Sequence, residues 1–295
     1  MEATLSVAKD VRLHIAIINS YKISNVEYRA ELYQLMRDRK TKKITNNLKK
    51  LAINNLIDAY LLIEDSQKYN LPIDEQLVHF HFVEIKKQYL NPEEFSQQMS
   101  KHSLTTQKLI ENIRNNLRVK KFIKLKFIDR MNIDHSKIRE YYKNHKYSFK
   151  IPEEVKICHI LIRSNDSNAF RKIEEISRKL YANYDFFEIA KTYSDCPSAT
   201  NGGDLGYISR GKLVKEIEDI AFTLPIGEIA GPLRTKFGYH FVKLMDRRKS
   251  RIPEFEEIKE SLKRQLEKVA SELELLKHIR NLRAKAKIVI CEENL

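Results

Sequence analysis

Residues 155–162 read VKICHILI, and residues 194–211 read SDCPSATNGGDLGYISRG. The first is a short, continuous apolar run rich in β-branched residues. Pro152 blocks any helix from entering it, so it reads as a buried strand that opens a new domain. The second run holds Gly202, Gly203, Gly206 and Gly211, four of the seven glycines in the chain. Backbone there is expected to take conformations, or make close approaches, that a side chain would obstruct, which marks a site loop or a series of tight turns. Between the two runs the pattern predicts a helix over about 168–181 and another opened by Asp185 through DFFEIAKTY. A phosphate cradle is excluded: no Lys with Ser or Thr follows the last glycine, and the G-x-G-x-x-G spacing is absent.

Upstream of Pro152 the texture is helical. Val11 to Ile18 is a short strand-like run, and Ser24 with Glu27 forms a capping box that starts a helix through Arg37. A second helix spans about Thr45 to Tyr69, its stripe made by Leu48, Leu51, Ala52, Leu56, Ala59, Tyr60 and Ile63. Further helices are expected over 74–89, 92–101, 105–129 and 135–145, capped by Asp74, Asn91, Ser103 or Thr105, and Asp134. His79 and His81 lie two residues apart, which points them to different helix faces. With no acidic or cysteine partner at ligand spacing they predict no metal.

The chain has 295 residues and is 42% hydrophobic, enough for about two domains with ordinary cores. No window approaches the roughly 18 apolar residues of a membrane helix, and Met1 to Asp10 lacks the basic-then-apolar pattern of an export signal. Three cysteines, Cys158, Cys196 and Cys291, are scattered and odd in number, so no disulfide framework is expected and at least one thiol is free. The net charge of +14 is concentrated: residues 1–150 carry 28 Lys and Arg against 17 Asp and Glu. The densest run is Arg114, Arg118, Lys120, Lys121, Lys124, Lys126 and Arg130. A solvated helix face accounts for it, while attraction of acidic polypeptides or weak contact with an anionic membrane surface are the functional alternatives. Without an aromatic-interleaved motif or a zinc finger, nucleic acid is not an expected partner.

His159, Ser194-Asp195-Cys196, Gly203-Asp204-Leu205-Gly206, Phe222 with Leu224, Gly227-Glu228, Gly231-Pro232 and Phe237-Gly238-Tyr239-His240 share the order and spacing of one family over about residues 153–247. That stretch resembles the parvulin peptidyl-prolyl isomerases. The resemblance implies a small antiparallel sheet wrapped by helices, with His159, Cys196, Thr235 and His240 as a catalytic polar floor. Leu161, Leu205, Leu213, Ile217 and Phe222 would bind substrate around the proline ring. It also implies two imidazoles hydrogen-bonded to each other and no cofactor or metal.

The chemistry agrees with those residue types. Rotation about an Xaa-Pro amide faces a barrier of roughly 18 to 20 kcal/mol because it breaks amide resonance, and no covalent bond has to be made. A catalyst must hold the ring in an apolar pocket and favour the twisted amide over the planar one. Cysteine beside two histidines also suggests a thiol hydrolase, but no protease signature surrounds Cys196. A satisfied core histidine at 159 and an inert thiol at 196 are the bland alternatives, and Cys158 and Cys291 read as core filler. Two departures from the family pattern are expected to matter. Arg163 is followed by Ser164, Asn165 and Asp166 in place of an arginine cluster, so phosphoserine specificity is not expected. Ile217 replaces an aromatic and Leu213-Val214 replaces Met-Gln, which predicts a weaker grip on proline.

From Pro253 the positions Phe255, Ile258, Leu262, Leu266, Val269, Leu273 and Leu276 predict one long amphipathic helix to about Ala286, its stripe packed on a partner. The order of helical unit, parvulin domain and returning helix is similar to SurA-like and PrsA-like folding factors of bacterial envelopes. In those proteins the last helix completes the N-terminal domain. The expected class is α+β: an all-helical N-terminal domain over 1–150, an inserted parvulin domain over 151–248, and a C-terminal helix and short strand over 249–295. KIVIC at 287–291 is expected to pair with the strand near 12–18. The resemblance implies a folding chaperone and isomerase acting on unfolded, proline-containing polypeptides in the periplasm or cell envelope, with an export leader already removed. The competing reading is a holdase whose parvulin domain is nearly inactive; the basic half would draw acidic clients in either case.

Overall fold

A computed structural model describes residues 14–101 and 104–291. The Met1–Asp10 stretch, the Val11–Leu13 end of the expected strand and the Ser103 cap lie outside the described residues. The chain divides into two compact units, one formed by residues up to Asp134 together with those from Ser261 onward, the other by His135–Glu260.

The first unit is helical with a small sheet. Strand β1 (His14–Ile18) pairs antiparallel with β2 (Tyr21–Ser24) on one edge and with β7 (Ile288–Ile290) on the other, Ala16 facing Ile290. The pairing of 287–291 with the N-terminal strand is therefore present, while β2 was not legible in the sequence. Helices α1 (Asn25–Asp38) and α2 (Asn46–Gln67) begin at Ser24 and Thr45, whose side chains accept hydrogen bonds from Glu27 and Leu48 amides. The capping box predicted at Ser24 is complete. Tyr28 and Leu32 of α1 and Leu48, Ala52, Ile53, Ile57 and Leu61 of α2 pack with Ile15, Ala16 and Ile18 into one core. Helices α3 (Glu75–Lys86), α4 (Pro92–Lys101) and α5 (Thr106–Ile123) follow, and α5 runs into a single π-helical turn over Lys124–Ile128.

That turn uses part of the basic run. Lys126 lies 3.7 Å from the buried Asp65 carboxylate and over the rings of Phe122 and Tyr69, while His278 approaches the same carboxylate at 2.9 Å. Arg114 pairs with Glu75 and Glu111, Arg118 with Asn115, and Lys121 with the Pro72 carbonyl. Three of the seven cations, Arg114, Lys121 and Lys126, therefore bind other elements of the unit, and Arg118 binds within its own helix.

The second unit holds α6 (His135–Asn144) and an antiparallel sheet of order β4-β3-β6-β5, made by β3 (Glu154–Arg163), β4 (Asp204–Ser209), β5 (Ile229–Thr235) and β6 (Gly238–Arg248). Helices α7 (Ala169–Tyr181), α8 (Phe186–Tyr193) and α9 (Lys215–Ala221) flank it. The central strand β3 alternates between two cores. Cys158, Ile160 and Ile162 face α7 and α8, and Val155 and Ile157 face α9. Strand β4 lies inside the stretch expected as loop: with Gly206 in its middle and only half-buried residues it has no pattern of its own. Pairing of Val155 with Ile208 supplies what local sequence lacks.

Helix α10 (Phe255–Lys285) matches the expected long helix, and Phe255 and Leu262 of its expected stripe are buried, but the later part of that stripe does not pack as expected. Val269, Leu273 and Leu276 are about half exposed, whereas Leu275, Ile279 and Leu282 pack against Leu62, Phe122 and Phe127. The helix presents a neighbouring face because Leu275, His278, Ile279 and Leu282 follow the same three-and-four spacing. No described helix is long and apolar enough to cross a membrane.

Candidate active site

On the α9 face of the sheet, β3 continues past Ile157 to His159 and Leu161. His159 lies opposite Val242 and Leu161 opposite His240 on β6, while Leu233 of β5 faces His240 from the other side. Strand alternation thus puts His159 and Leu161 on the face of Val155 and Ile157, and His240 on that of Val242 and Leu244. Thr235, where β5 turns into β6, places Oγ1 2.9 Å from His240 Nε2, and the Phe237 amide donates to the same oxygen at 3.1 Å. His159, Thr235 and His240 are all buried.

The structure brings these three together but not in the arrangement expected. The ring centroids of His159 and His240 are 5.7 Å apart, and the mutual imidazole hydrogen bond is absent. His240 turns its Nε2 to Thr235, leaving His159 Nε2 and His240 Nδ1 buried without a hydrogen-bond partner among the described residues. Two unpaired ring nitrogens therefore lie buried beneath the apolar wall. A buried polar atom left unpaired costs about 1 to 3 kcal/mol, so a ligand that satisfies one gains correspondingly.

Cys196 sits on a segment laid along the open edge of β3. The Asp195 amide donates to the Leu161 carbonyl at 2.7 Å, Ser194 Oγ accepts from the Leu161 and Cys196 amides, and the Asp195 carboxylate accepts from the Arg163 amide. Ser194 and Asp195 were given no role by sequence reasoning, although the Ser-Asp-Cys run itself was a signal. Farther along the same edge, the His159 amide donates to Gly203 O at 2.9 Å. No hydrogen bond joins Cys196 Sγ to either imidazole, so the base-activated thiolate of a hydrolase is missing. Cys158 faces the opposite core, where burial, then the Asp204 charge, pushes its thiol up to about 11.

Leu205, Leu213, Ile217 and Phe222 form the apolar wall, packed with Leu233, Val242 and Leu244. Ile217 and Phe222 are each only 4% exposed, so nearly all of their surface belongs to the core. Arg210 lies 4.1 Å above the Phe222 ring at the rim, a contact the sequence did not suggest. Leu161 lies beside this wall on the same sheet face. Among the described residues no group of three His, Cys, Asp or Glu is placed to hold a metal ion.

Burial lowers the pKa of His159; burial, then repulsion from His159, brings His240 down to about 4 against a partial pull from Glu216. Both rings are neutral at pH 7. An unfolded histidine titrates near 6.5, so as pH falls from there towards 4 the unfolded chain binds protons that the folded chain does not, and stability drops. For His240 the loss amounts to about 3 kcal/mol, at about 1.36 kcal/mol per pKa unit. Urea unfolding across this window is expected to show that slope in the parent chain and a shallower one in His240→Asn.

Residues 159–246 match the family model Rotamase, described as the PPIC-type PPIASE domain. A parvulin-like PPIase of Rickettsia bellii is 30% identical over 251 residues, covering 79% of this chain and 83% of its own length. A foldase protein PrsA of Caldanaerobacter subterraneus is 27% identical over 245 residues, 78% of this chain and 72% of its own. A solved Campylobacter jejuni structure, from a pair described as SurA-like chaperones, is 24% identical with a TM-score of 0.44, covering 93% of this chain and 98% of its own. The chain belongs to the parvulin-like peptidyl-prolyl cis-trans isomerases.

Proposed function

We propose that the chain is a foldase of the cell envelope, isomerising Xaa-Pro bonds in the second unit while the first unit holds unfolded clients. The observation that carries the isomerase part is the dry, neutral floor of His159, Thr235 and His240 beneath a wall of aliphatic side chains. Leu205, Leu213, Ile217 and Phe222 hold the proline ring, with Leu161 beside them. The unpaired nitrogens of His159 and His240 hydrogen-bond the amide as it twists, and Cys196 flanks its carbonyl as a polarisable, uncharged neighbour. Exclusion of water from the planar carbonyl removes a competing stabilisation of the ground state. No proton needs to leave the enzyme and no covalent intermediate forms. The name of one relative, foldase protein PrsA, supports a role in folding other chains. Clients are unfolded polypeptides, with weak contact to an anionic membrane surface as a secondary property of the basic half.

Exchange NMR on an Ala-Pro peptide tests the assigned floor. His159→Ala and Cys196→Ala are each expected to slow catalysed exchange several-fold, a rise on the order of 1 kcal/mol in the barrier. Both should leave suppression of client aggregation intact. Unchanged exchange in both variants discards the floor, and loss of aggregation suppression in both discards the division of labour.

A further inference from the structure

The first unit contains a cavity of about 730 Å³ bounded by the β1–β2 turn, α1, α2 and α5. Its floor is apolar and aromatic: Ile18, Leu56 and Ile63, with Tyr21 and Tyr60 stacked at a centroid distance of 3.7 Å. Asn112, Asn115 and Asn116 of α5 line one side and offer both donors and acceptors. Glu27, Glu31, Glu64 and Glu111 also line it, against a single cation, Lys108. The unit as a whole is basic, but the cavity has the opposite sign.

Three of those carboxylates pair with no cation among the described residues. Glu27 accepts from Ser24, from Tyr21 OH at 2.6 Å and from Tyr60 OH at 2.5 Å. Burial opposes its ionisation, yet the bonds from Ser24, Tyr21 and Tyr60 outweigh burial and hold its pKa below the ordinary value. Glu31 accepts from the Asn55 amide and Glu64 from the Asn19 amide, both at 2.7 Å, all neutral donors. A carboxylate offers about four acceptor positions, so Glu31 and Glu64 retain capacity facing the cavity. The fourth lining carboxylate, Glu111, meets Arg114, and outside the cavity Asp65 meets Lys126 and His278.

We propose that this cavity binds an extended client segment through a lysine or arginine side chain. The aliphatic stem of such a residue would lie on Leu56, Ile63 and the tyrosine rings, its charge would reach Glu31 or Glu64, and the asparagines would serve the flanking peptide groups. An aliphatic stem ending in a cation is the side chain that satisfies both an apolar floor and unpaired carboxylates. This rests on the reading of the first unit as the client-holding unit, and it adds a preference for basic segments that the unit's net charge alone would not suggest.

The test uses the full chain and a short, proline-free, fluorescein-labelled peptide carrying lysines beside leucine and phenylalanine, compared with a counterpart in which glutamate replaces lysine. Fluorescence anisotropy is expected to show the lysine peptide binding at least about tenfold more tightly, an advantage that shrinks at high salt. The double variant Glu31→Gln/Glu64→Gln is expected to erase most of that difference. Ala59→Trp, which fills the cavity without changing charge, is expected to weaken the lysine peptide as strongly. Equal affinity for the two peptides in the parent chain overturns the proposal whatever the variants do, as does binding indifferent to both variants. Displacement of the peptide by a free diamine at equal concentration would assign the cavity to small cations and overturn the peptide part. Aggregation suppression of an unfolded client, measured alongside, separates the two readings: its loss in the parent chain defeats the holding role, while its presence without lysine preference defeats only this inference.

Discussion

Thr235→Val will slow catalysed cis-trans exchange of an Ala-Pro peptide about tenfold, and His240→Leu will slow it further, towards a hundredfold. Valine keeps the shape of threonine and removes only the oxygen that lies 2.9 Å from His240 Nε2. In a site this buried, the nitrogen left behind costs about 1 to 3 kcal/mol unless the ring turns to find another partner. Either outcome disturbs the His240 ring orientation on which the proposed floor depends, and about 1.36 kcal/mol of lost transition-state preference is a factor of ten. Because the two residues act through one hydrogen bond, the double variant Thr235→Val/His240→Leu should be no slower than His240→Leu alone. Additive losses would show that Thr235 meets the substrate independently. The rate in the parent chain should stay level from pH 8 down to about 5 and fall as pH approaches the His240 pKa of about 4. An inflection near pH 6.5 would show that the rings are less protected than their burial indicates.

What the sequence disclosed follows from how local each signal is. The caps at Ser24, Asp74, Asn91, Thr105 and Asp185 depend on a side chain and an amide two or three residues away, and all five are found. The run VKICHILI disclosed β3 because a strand buried on both faces is continuously apolar. Strand β4 and strand β2 were invisible for the opposite reason, being short and half exposed, and existing only because β3 and β1 pair with them. The buried face of α10 was read correctly at Phe255 and Leu262 but misjudged in its later half, because two apolar stripes, one through Leu273 and Leu276 and one through Leu275, Ile279 and Leu282, follow the same period; only the partner core distinguishes them. At the candidate site, the family resemblance named His159, Thr235 and His240, which the fold places together. Their hydrogen bonding was not, since turning the His240 ring towards Thr235 instead of His159 is a choice of rotamer made by surrounding packing. The acid-lined cavity of the first unit was equally hidden, assembled from four separated segments that share no motif.

Gly203→Ala is expected to destabilise the second unit by roughly 3 to 5 kcal/mol, the largest single effect foreseen outside the core, and to abolish isomerisation with it. Gly203 has φ +81°, and a Cβ placed there would lie 2.2 Å from the His159 carbonyl oxygen. That oxygen cannot retreat. His159 is held in register opposite Val242 on one edge of β3, and its own amide donates to Gly203 O at 2.9 Å on the other. The loop would therefore have to leave the strand, breaking that bond and the one from the Gly203 amide to Ser198 O at 2.8 Å. Loosening there frees the short helical turn over Pro197–Asn201 that begins at Cys196, so catalysis and stability fail together. Gly206→Ala is the contrasting case: φ is +71° but nothing lies within 4 Å of the added carbon, leaving only a backbone cost of about 1 to 2 kcal/mol. Gly202→Ala should fall between them, since its Cβ would meet the Phe187 side chain at 2.6 Å, which can move where a strand carbonyl cannot. Urea unfolding of the three variants is expected to rank them Gly206→Ala, Gly202→Ala, Gly203→Ala in increasing loss. If Gly203→Ala were as stable as Gly206→Ala, the glycine would be serving φ alone, and the tight seat of the Cys196 loop on β3 would not be what holds the site together.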